Sequence, residues 1–181
     1  LSVDSITQDR HGTLWITRGD GGLFKMVDGQ LSATTDLSQL ATGTLLFKLL
    51  SDARDDVWFY RQNSYGVIGD DGQVAAHVVI PDSVITLAPG RKGGMWLSTG
   101  TELRFLKPDE TSGREFVTVL PFELHGVTVM HEDRAGMLWI GTRGLGIFRW
   151  NGSKIQRINE INHTVRAIQE DMEGNRWVGT E

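Results

Sequence analysis

The sequence predicts an all-β protein assembled from one repeated four-stranded antiparallel unit, and three observations predict it. Five tryptophans recur at Trp15, Trp58, Trp96, Trp139 and Trp177, spaced 43, 38, 43 and 38 residues apart. Around each of them the same residue types return at fixed offsets. Glycine (22) and tryptophan (6) are plentiful among 181 residues, a mixture that suits many tight turns between aromatic-bearing strands.

The offsets define the unit. Six residues before each Trp stand Asp9, Asp52, Gly90, Asp133 and Asp171. Nine before are Ile6, Leu49, Leu87, Met130 and Ile168, and twelve before are Val3, Leu46, Val84, Val127 and Val165. Nine after the first four come Phe24, Val67, Phe105 and Phe148. Segments such as "VDSITQD" and "VTVMHED" are rich in β-branched and apolar residues and end in turn formers, so each reads as a first strand. Asp9 to Gly12 and Asp133 to Gly136 read as tight hairpins, with the Asp carboxylate accepting backbone N–H bonds and the Gly supplying a positive φ. In the second unit this reading puts Asp56 in the place of the hairpin glycine, and in the third Gly90 replaces the Asp.

The Trp lies on the second strand, "TLWIT" or "MLWIG". A Gly-rich turn leads to a third, "GLFKM", "YGVIG" or "LGIFRW". Another turn, "VDGQ" (27–30) or "DDGQ" (70–73), leads to a fourth, such as "QVAAHVVI". A repeat of about 40 residues with four strands and an aromatic in a fixed place is the signature of a propeller blade.

The expected fold is therefore a β-propeller fragment of about four and a half blades. The blades are expected over residues 1–43, 44–82, 83–124, 125–163 and, incomplete, 164–181. The five Trp residues are expected to pack between blades, and Trp139→Ala to cost about 3–5 kcal/mol by opening a cavity. An open arc would leave apolar terminal faces near Val3–Ile6 and Trp177, to be covered by further blades of the same chain or by another copy.

Net charge is −5 with a pI near 5.5, and the charges are mixed rather than blocked. No basic stripe suggests a nucleic-acid partner. Cysteine is absent, which excludes disulfide frameworks and thiolate metal sites. There is no apolar run of about 20 residues to span a membrane and no signal peptide at the start. The chain opens on Leu1 and closes on "WVGTE", and is expected to be a piece of something longer.

Units such as "VDSITQDRHGTLWITRGDGGLFKMVDGQ" and "VTVMHEDRAGMLWIGTRGLGIFRWNGS" resemble the two-component regulator propeller repeat. Its pattern is an apolar strand, Asp-x-x-Gly-x-x-Trp-Ile-Gly-Thr, a Gly-rich turn, and an aromatic-containing strand ending in Asp-Gly. The resemblance covers essentially the whole chain. It implies the extracytoplasmic, periplasmic sensor region of a bacterial inner-membrane signalling protein, with the membrane segment and a kinase or cyclase output domain outside this stretch. Sialidase-type Asp-boxes space Asp and Gly differently, and the Gly-His and Trp-Asp pairs of WD repeats are missing. Streptogramin lyases share a looser Gly-x-x-Trp repeat and are the enzymatic alternative; a purely structural or dimerising scaffold is a third reading.

Few residues suggest chemistry. His11, His77, His125, His131 and His163 show no His-x-His or His-Glu-x-x-His spacing, so no metal and no cofactor is expected. His11 reads as a solvated turn residue, and His131 as one that could face the central channel. His125 and His163 read as a pair at the channel mouth that a lyase could use. The Asp pairs at 55–56 and 70–71 read as solvated turns rather than acid–base pairs. "GDGG" (19–22) and "GLG" (144–146) lead into strands rather than helices, against a phosphate cradle. "NGS" at 151 and "NHT" at 162 match glycosylation sequons by accident.

The loops between second and third strands gather at one propeller face. They carry Arg18 and Asp20, Arg61 and Asn63, Thr101 and Glu102, and Arg143. Arginines at corresponding places could bind an anionic or carbohydrate-derived ligand through bidentate bonds. No catalytic residue is expected, and no enzyme activity of this stretch itself.

Overall fold

The computed structural model describes residues 2–40, 47–80, 86–99, 102–106, 120–121, 126–158 and 160–181. Among them are eighteen strands, one 3₁₀ turn at Ser38–Leu40 and no α-helix. The chain forms two compact units, Leu1–Val84 and Ile85–Glu181. The all-β class expected from the repeat is observed, as antiparallel sheets of the propeller-blade kind.

The first unit holds two sheets, each in simple meander order. One comprises β1 (Val3–Gln8), β2 (Leu14–Arg18), β3 (Gly22–Val27) and β4 (Gln30–Asp36). The other comprises β5 (Lys48–Ser51), β6 (Val57–Arg61), β7 (Ser64–Ile68) and β8 (Val74–Val79). Strands β1 and β5 lie beside one another, so the sheets meet at their first strands. Trp15, Leu23 and Leu37 of the first sheet pack into Phe47, Leu49, Val57 and Phe59 of the second.

The second unit repeats this arrangement. It contains β9 (Thr86–Pro89), β10 (Met95–Ser98), β11 (Glu102–Leu106) and β12 (Leu120–Pro121); then β13 (Val127–Glu132), β14 (Leu138–Thr142), β15 (Ile147–Trp150) and β16 (Ile155–Ile158); then the hairpin β17 (Val165–Glu170) and β18 (Arg176–Thr180). Here β13 lies beside both β9 and β17. The middle sheet is consequently buried on both faces. Met130, Leu138, Ile140 and Trp150 meet Trp96 and Leu103 on one side. Val129, Trp139 and Ile147 meet Val165, Ile168 and Val178 on the other.

A bulge explains an oddity of the repeat. Residues twelve and nine before each Trp are three apart, and in a regular strand an odd separation puts them on opposite faces. The register shifts between Val3 and Ser5, between Val127 and Val129, and between Val165 and Ala167. The extra residue returns Val127 and Met130 to one face, and likewise Val165 and Ile168.

Trp15, Trp58 and Trp96 are buried and Trp139 is half-buried. Trp177 does not follow them: it is 65% exposed. Trp15, Trp96 and Trp139 are each packed against the sheet that follows their own within the same unit, and no described sheet follows β18. Leu46, Val84, Thr101 and His125 lie outside the described residues.

Candidate functional site

Four of the five hairpins are closed by one device. Asp9 Oδ1 accepts the His11 and Thr13 N–H groups at 3.0 and 2.9 Å, while Oδ2 accepts Trp15 Nε1–H at 2.9 Å. Asp52 does the same for Arg54, Asp56 and Trp58. Asp133 serves Ala135, Met137 and Trp139. Asp171 takes the Asn175 N–H and Trp177 Nε1–H, both at 2.8 Å. The six-residue spacing therefore has a cause: one carboxylate fixes the turn with one oxygen and the indole with the other. The φ of Gly12, Gly136 and Gly174 is near +80°, as the turn requires. In the second unit the equivalent residue is Asp55, at φ +78°, and not Asp56 as expected.

Gly90 leaves the third hairpin without its carboxylate, and the next sheet supplies one. Glu132 Oε2 accepts Trp96 Nε1–H at 2.7 Å and the Arg91 N–H at 3.3 Å. The same kind of reach occurs elsewhere. Asp55 accepts the Arg10 N–H at 2.6 Å, and Glu170 accepts the Arg134 N–H at 2.9 Å. Sequence reasoning missed these inter-sheet carboxylates, although "HED" and "QED" place an acid just before Asp133 and Asp171. Removing Glu132 strands a half-buried indole N–H, so Glu132→Ala should cost about 1–3 kcal/mol in urea unfolding, and Glu132→Gln less. A wild-type midpoint for Glu132→Ala would show the brace to be idle.

Asp70 and Asp71 are exposed, as a solvated turn should be, but the pair at 55–56 is not simply solvated. The Asp55 side chain is 12% exposed and faces Arg10 and His11. Burial, then the charges of Asp52, Asp70 and Asp55, push the Asp56 carboxyl above its ordinary range, outweighing Arg54. A raised folded value means that ionising Asp56 costs stability once the pH passes through it. Asp56→Asn should therefore raise the melting temperature near pH 7 and leave it unchanged near pH 3. Lowered melting at pH 7 would contradict this.

The loop residues expected to bind a ligand are placed as follows. Arg18 is ion-paired with Asp20 and lies 4.9 Å over the Phe24 ring. Asp20 also accepts the Gly22 N–H, which together with Arg18 holds its carboxyl below the ordinary range. Asp20 and Phe24 line an open cleft of about 360 Å³ with Thr34, Thr35 and Asp36. Arg61 sits 4.8 Å over Phe47, and the Asn63 carbonyl accepts the Ile80 N–H. Glu102 pairs with Arg104. Arg143 is exposed, its backbone N–H bonded to the Gly126 carbonyl at 2.8 Å. Arg18 and Arg61 belong to the first unit and Arg143 to the second.

His131 is half-buried, with its Nε2 buried. Burial pushes its imidazole below the ordinary value against the pull of Glu170 and Asp133, with Arg176 and Arg91 adding to the lowering. His11 is 85% exposed, as a turn residue should be. His77 Nε2 meets Ser64 Oγ at 3.0 Å, and His163 is exposed between β16 and β17. Asn151 Oδ1 accepts the Ser153 and Lys154 N–H groups inside its turn. No group of three His, Asp or Glu among the described residues is placed to hold a metal ion.

No protein-family model and no curated protein matches the chain. Solved structures do. A streptogramin B lyase superposes with a TM-score of 0.76 at 17% identity, over 98% of this chain and 62% of the lyase. The extracellular domain of a protein named as a hybrid two-component system from B. thetaiotaomicron gives 0.66 at 23%, over 98% of this chain and 27% of that one. PorZ, a surface component of the type-IX secretion system of Porphyromonas gingivalis, gives 0.73 at 18%, over 98% and 31%. The chain thus spans less than two thirds of each of these proteins. The similarity is one of fold: this chain is built from sheets of the propeller type, like the extracellular domains of bacterial signalling proteins and like propeller lyases.

Proposed function

We propose that the chain is an extracytoplasmic, ligand-binding sensor module of a membrane-bound bacterial signal-transduction protein. The observation that carries this reading is the shared fold with extracellular domains of two-component proteins. The repeated Asp–Trp clamp agrees with it, since it accounts for the motif residues as scaffold and assigns them no chemistry. No described helix is long and apolar enough to cross a membrane, and this reading assigns anchoring and output to other segments. The module itself is not an enzyme in this reading.

The ligand is anionic or carbohydrate-derived and meets the loop between β14 and β15. Arg143 is its anchor, because the charge of Arg18 is already matched by Asp20 and Arg61 stacks on Phe47. Calorimetric titration with uronic and other sugar acids tests this. Saturable binding that weakens about tenfold or more in Arg143→Ala is the expected result, the loss of one charge-assisted contact. Equal affinity of both proteins removes Arg143 from the site.

A lyase reading is favoured by one observation, the superposition on streptogramin B lyase. It needs a histidine and a divalent ion at the channel mouth, and of the expected pair His163 is exposed between β16 and β17. Incubation with a streptogramin B antibiotic and magnesium, read by mass spectrometry, decides it: unchanged antibiotic ends this reading, and turnover ends the sensor-only one.

A further inference from the structure

The turn between β15 and β16, residues 151–154, contains one of the two stretches that match a glycosylation sequon, and it closes a small polar cleft. The cleft, of about 140 Å³, is lined by Met137, Arg149, Asn151, Lys154 and Gln156. Arg143 precedes β15 and this turn follows it, so the two lie at opposite ends of that strand.

Hydrogen bonds sort the lining groups into donors. Asn151 Oδ1 accepts the Ser153 N–H and the Ser153 hydroxyl, both at 3.1 Å, and the Lys154 N–H at 2.8 Å. That leaves its Nδ2 amide group to offer. Gln156 Oε1 accepts Arg149 Nε–H and Nη2–H at 3.1 and 2.7 Å, which holds the guanidinium in place and leaves Nε2 as the free end of the glutamine. Lys154 adds an ammonium, a donor with no acceptor. Among the described residues neither Arg149 nor Lys154 is ion-paired with an acid. Two positive charges and two amide donors therefore meet with no carboxylate in the lining.

The corresponding turns of the first and second sheets carry acids, Asp28 in one and Asp70 with Asp71 in the other. Nor is the cleft open merely for want of a covering sheet. Lys25 and Ser32 pair across the first sheet as Arg149 and Gln156 pair across theirs, and a complete four-stranded sheet follows them. Even so, Lys25 is half-buried and Ser32 exposed.

We propose that this cleft binds a phosphate group, free or carried as a monoester. A charge between −1.5 and −2 near pH 7 matches one guanidinium and one ammonium, and the phosphate oxygens call for donors alone. The fixed guanidinium supplies paired N–H bonds and the lysine a mobile point charge. A carboxylate, with one charge, would leave a cation unmatched. The proposal is independent of the sensor reading, whose ligand meets Arg143.

Two-dimensional NMR of the ¹⁵N-labelled 181-residue chain tests it, with sodium phosphate and glucose 6-phosphate as probes. Acetate and chloride at equal ionic strength are the controls. Saturable shifts are expected at Arg149 Nε–H and at the side-chain amides of Asn151 and Gln156. Saturation by both probes assigns the site to monoesters as well as the free anion, and saturation by sodium phosphate alone assigns it to the free anion. Affinity should fall as the pH drops through about 6, where the phosphate takes up its second proton. Asn151→Asp puts back the acid of the other turns and keeps the oxygen that holds the turn, while Lys154→Gln removes one charge. Each should weaken phosphate binding about tenfold or more, with the remaining backbone signals at their wild-type positions. Shifts that grow without saturating, or that acetate and chloride reproduce, overturn the proposal. So does wild-type affinity in both variants, or a response centred on the β14–β15 loop instead.

Discussion

Trp96→Ala should lower the unfolding free energy by about 3–5 kcal/mol, the cost of emptying a large aromatic site that cannot fully collapse. Trp96 is 7% exposed, lies 4.6 Å from the Phe105 ring and 5.1 Å edge-on to Trp150, and donates to Glu132. Its neighbours Leu138 and Ile140 are fully buried, so few atoms are free to move into the space. The same substitution at the half-buried Trp139 should cost less, because Arg176 covers one face of that ring from a partly exposed position. At Trp177 it should cost least of all in the isolated chain. The ordering is a sharper test than any single value, since it follows from which sheet covers which Trp. Equal losses at Trp96 and Trp177, measured by urea unfolding, would contradict the packing scheme.

The strand-by-strand organisation was legible because its causes are local. Asp, Gly and Trp at offsets of six and three residues are all one hairpin needs, and each acts within its own turn. What depends on a neighbouring sheet was not legible. Gly90 looked like a lost Asp, yet Glu132, far along the chain, restores the bond to Trp96. The corner of the second hairpin is itself a matter of local spacing: three residues before Trp58 stands Asp55 rather than Asp56, and the backbone puts it there at a φ that non-glycine residues seldom adopt. The odd spacing of Val127 and Met130 made sense only once the bulge was seen. The loop arginines show the limit most plainly. Sequence places Arg18, Arg61 and Arg143 at comparable positions, but side-chain partners decide which of them keeps a charge to offer, and Asp20 and the ring of Phe47 are such partners.

Asp133→Ala is expected to cost about 3–5 kcal/mol, as for breaking a buried ion pair and leaving its partners unsatisfied. The Asp133 side chain is 1% exposed and receives the Ala135 and Met137 N–H groups, Trp139 Nε1–H, and Nε and Nη2 of Arg176 at 3.1 and 2.7 Å. Arg176 comes from the following hairpin, so this one carboxylate holds its own turn, its own Trp and the next sheet together. Burial alone would push its carboxyl up, but the bonds from Trp139, Met137 and Arg176 win and hold it below the ordinary value. Asp9 is shifted the same way for the same reason, with Trp15 and Thr13 as donors. A lowered folded value means the ionised form is favoured by folding, so the stabilisation is complete above the unfolded value of about 3.9 and is lost as pH falls through the folded one. Melting temperature should therefore fall steeply below about pH 5 as these carboxylates protonate, beneath a shallower decline that begins near the ordinary histidine value of about 6.5, because folding holds the His131 imidazole below it. Asp133→Asn, which keeps an acceptor but no charge, should be less stable at pH 7 and should fall less steeply in acid. If Asp133→Ala costs under about 1 kcal/mol, the bonds from Arg176 and Trp139 are replaced by water at no penalty, and the carboxylate is not the joint between sheets described here.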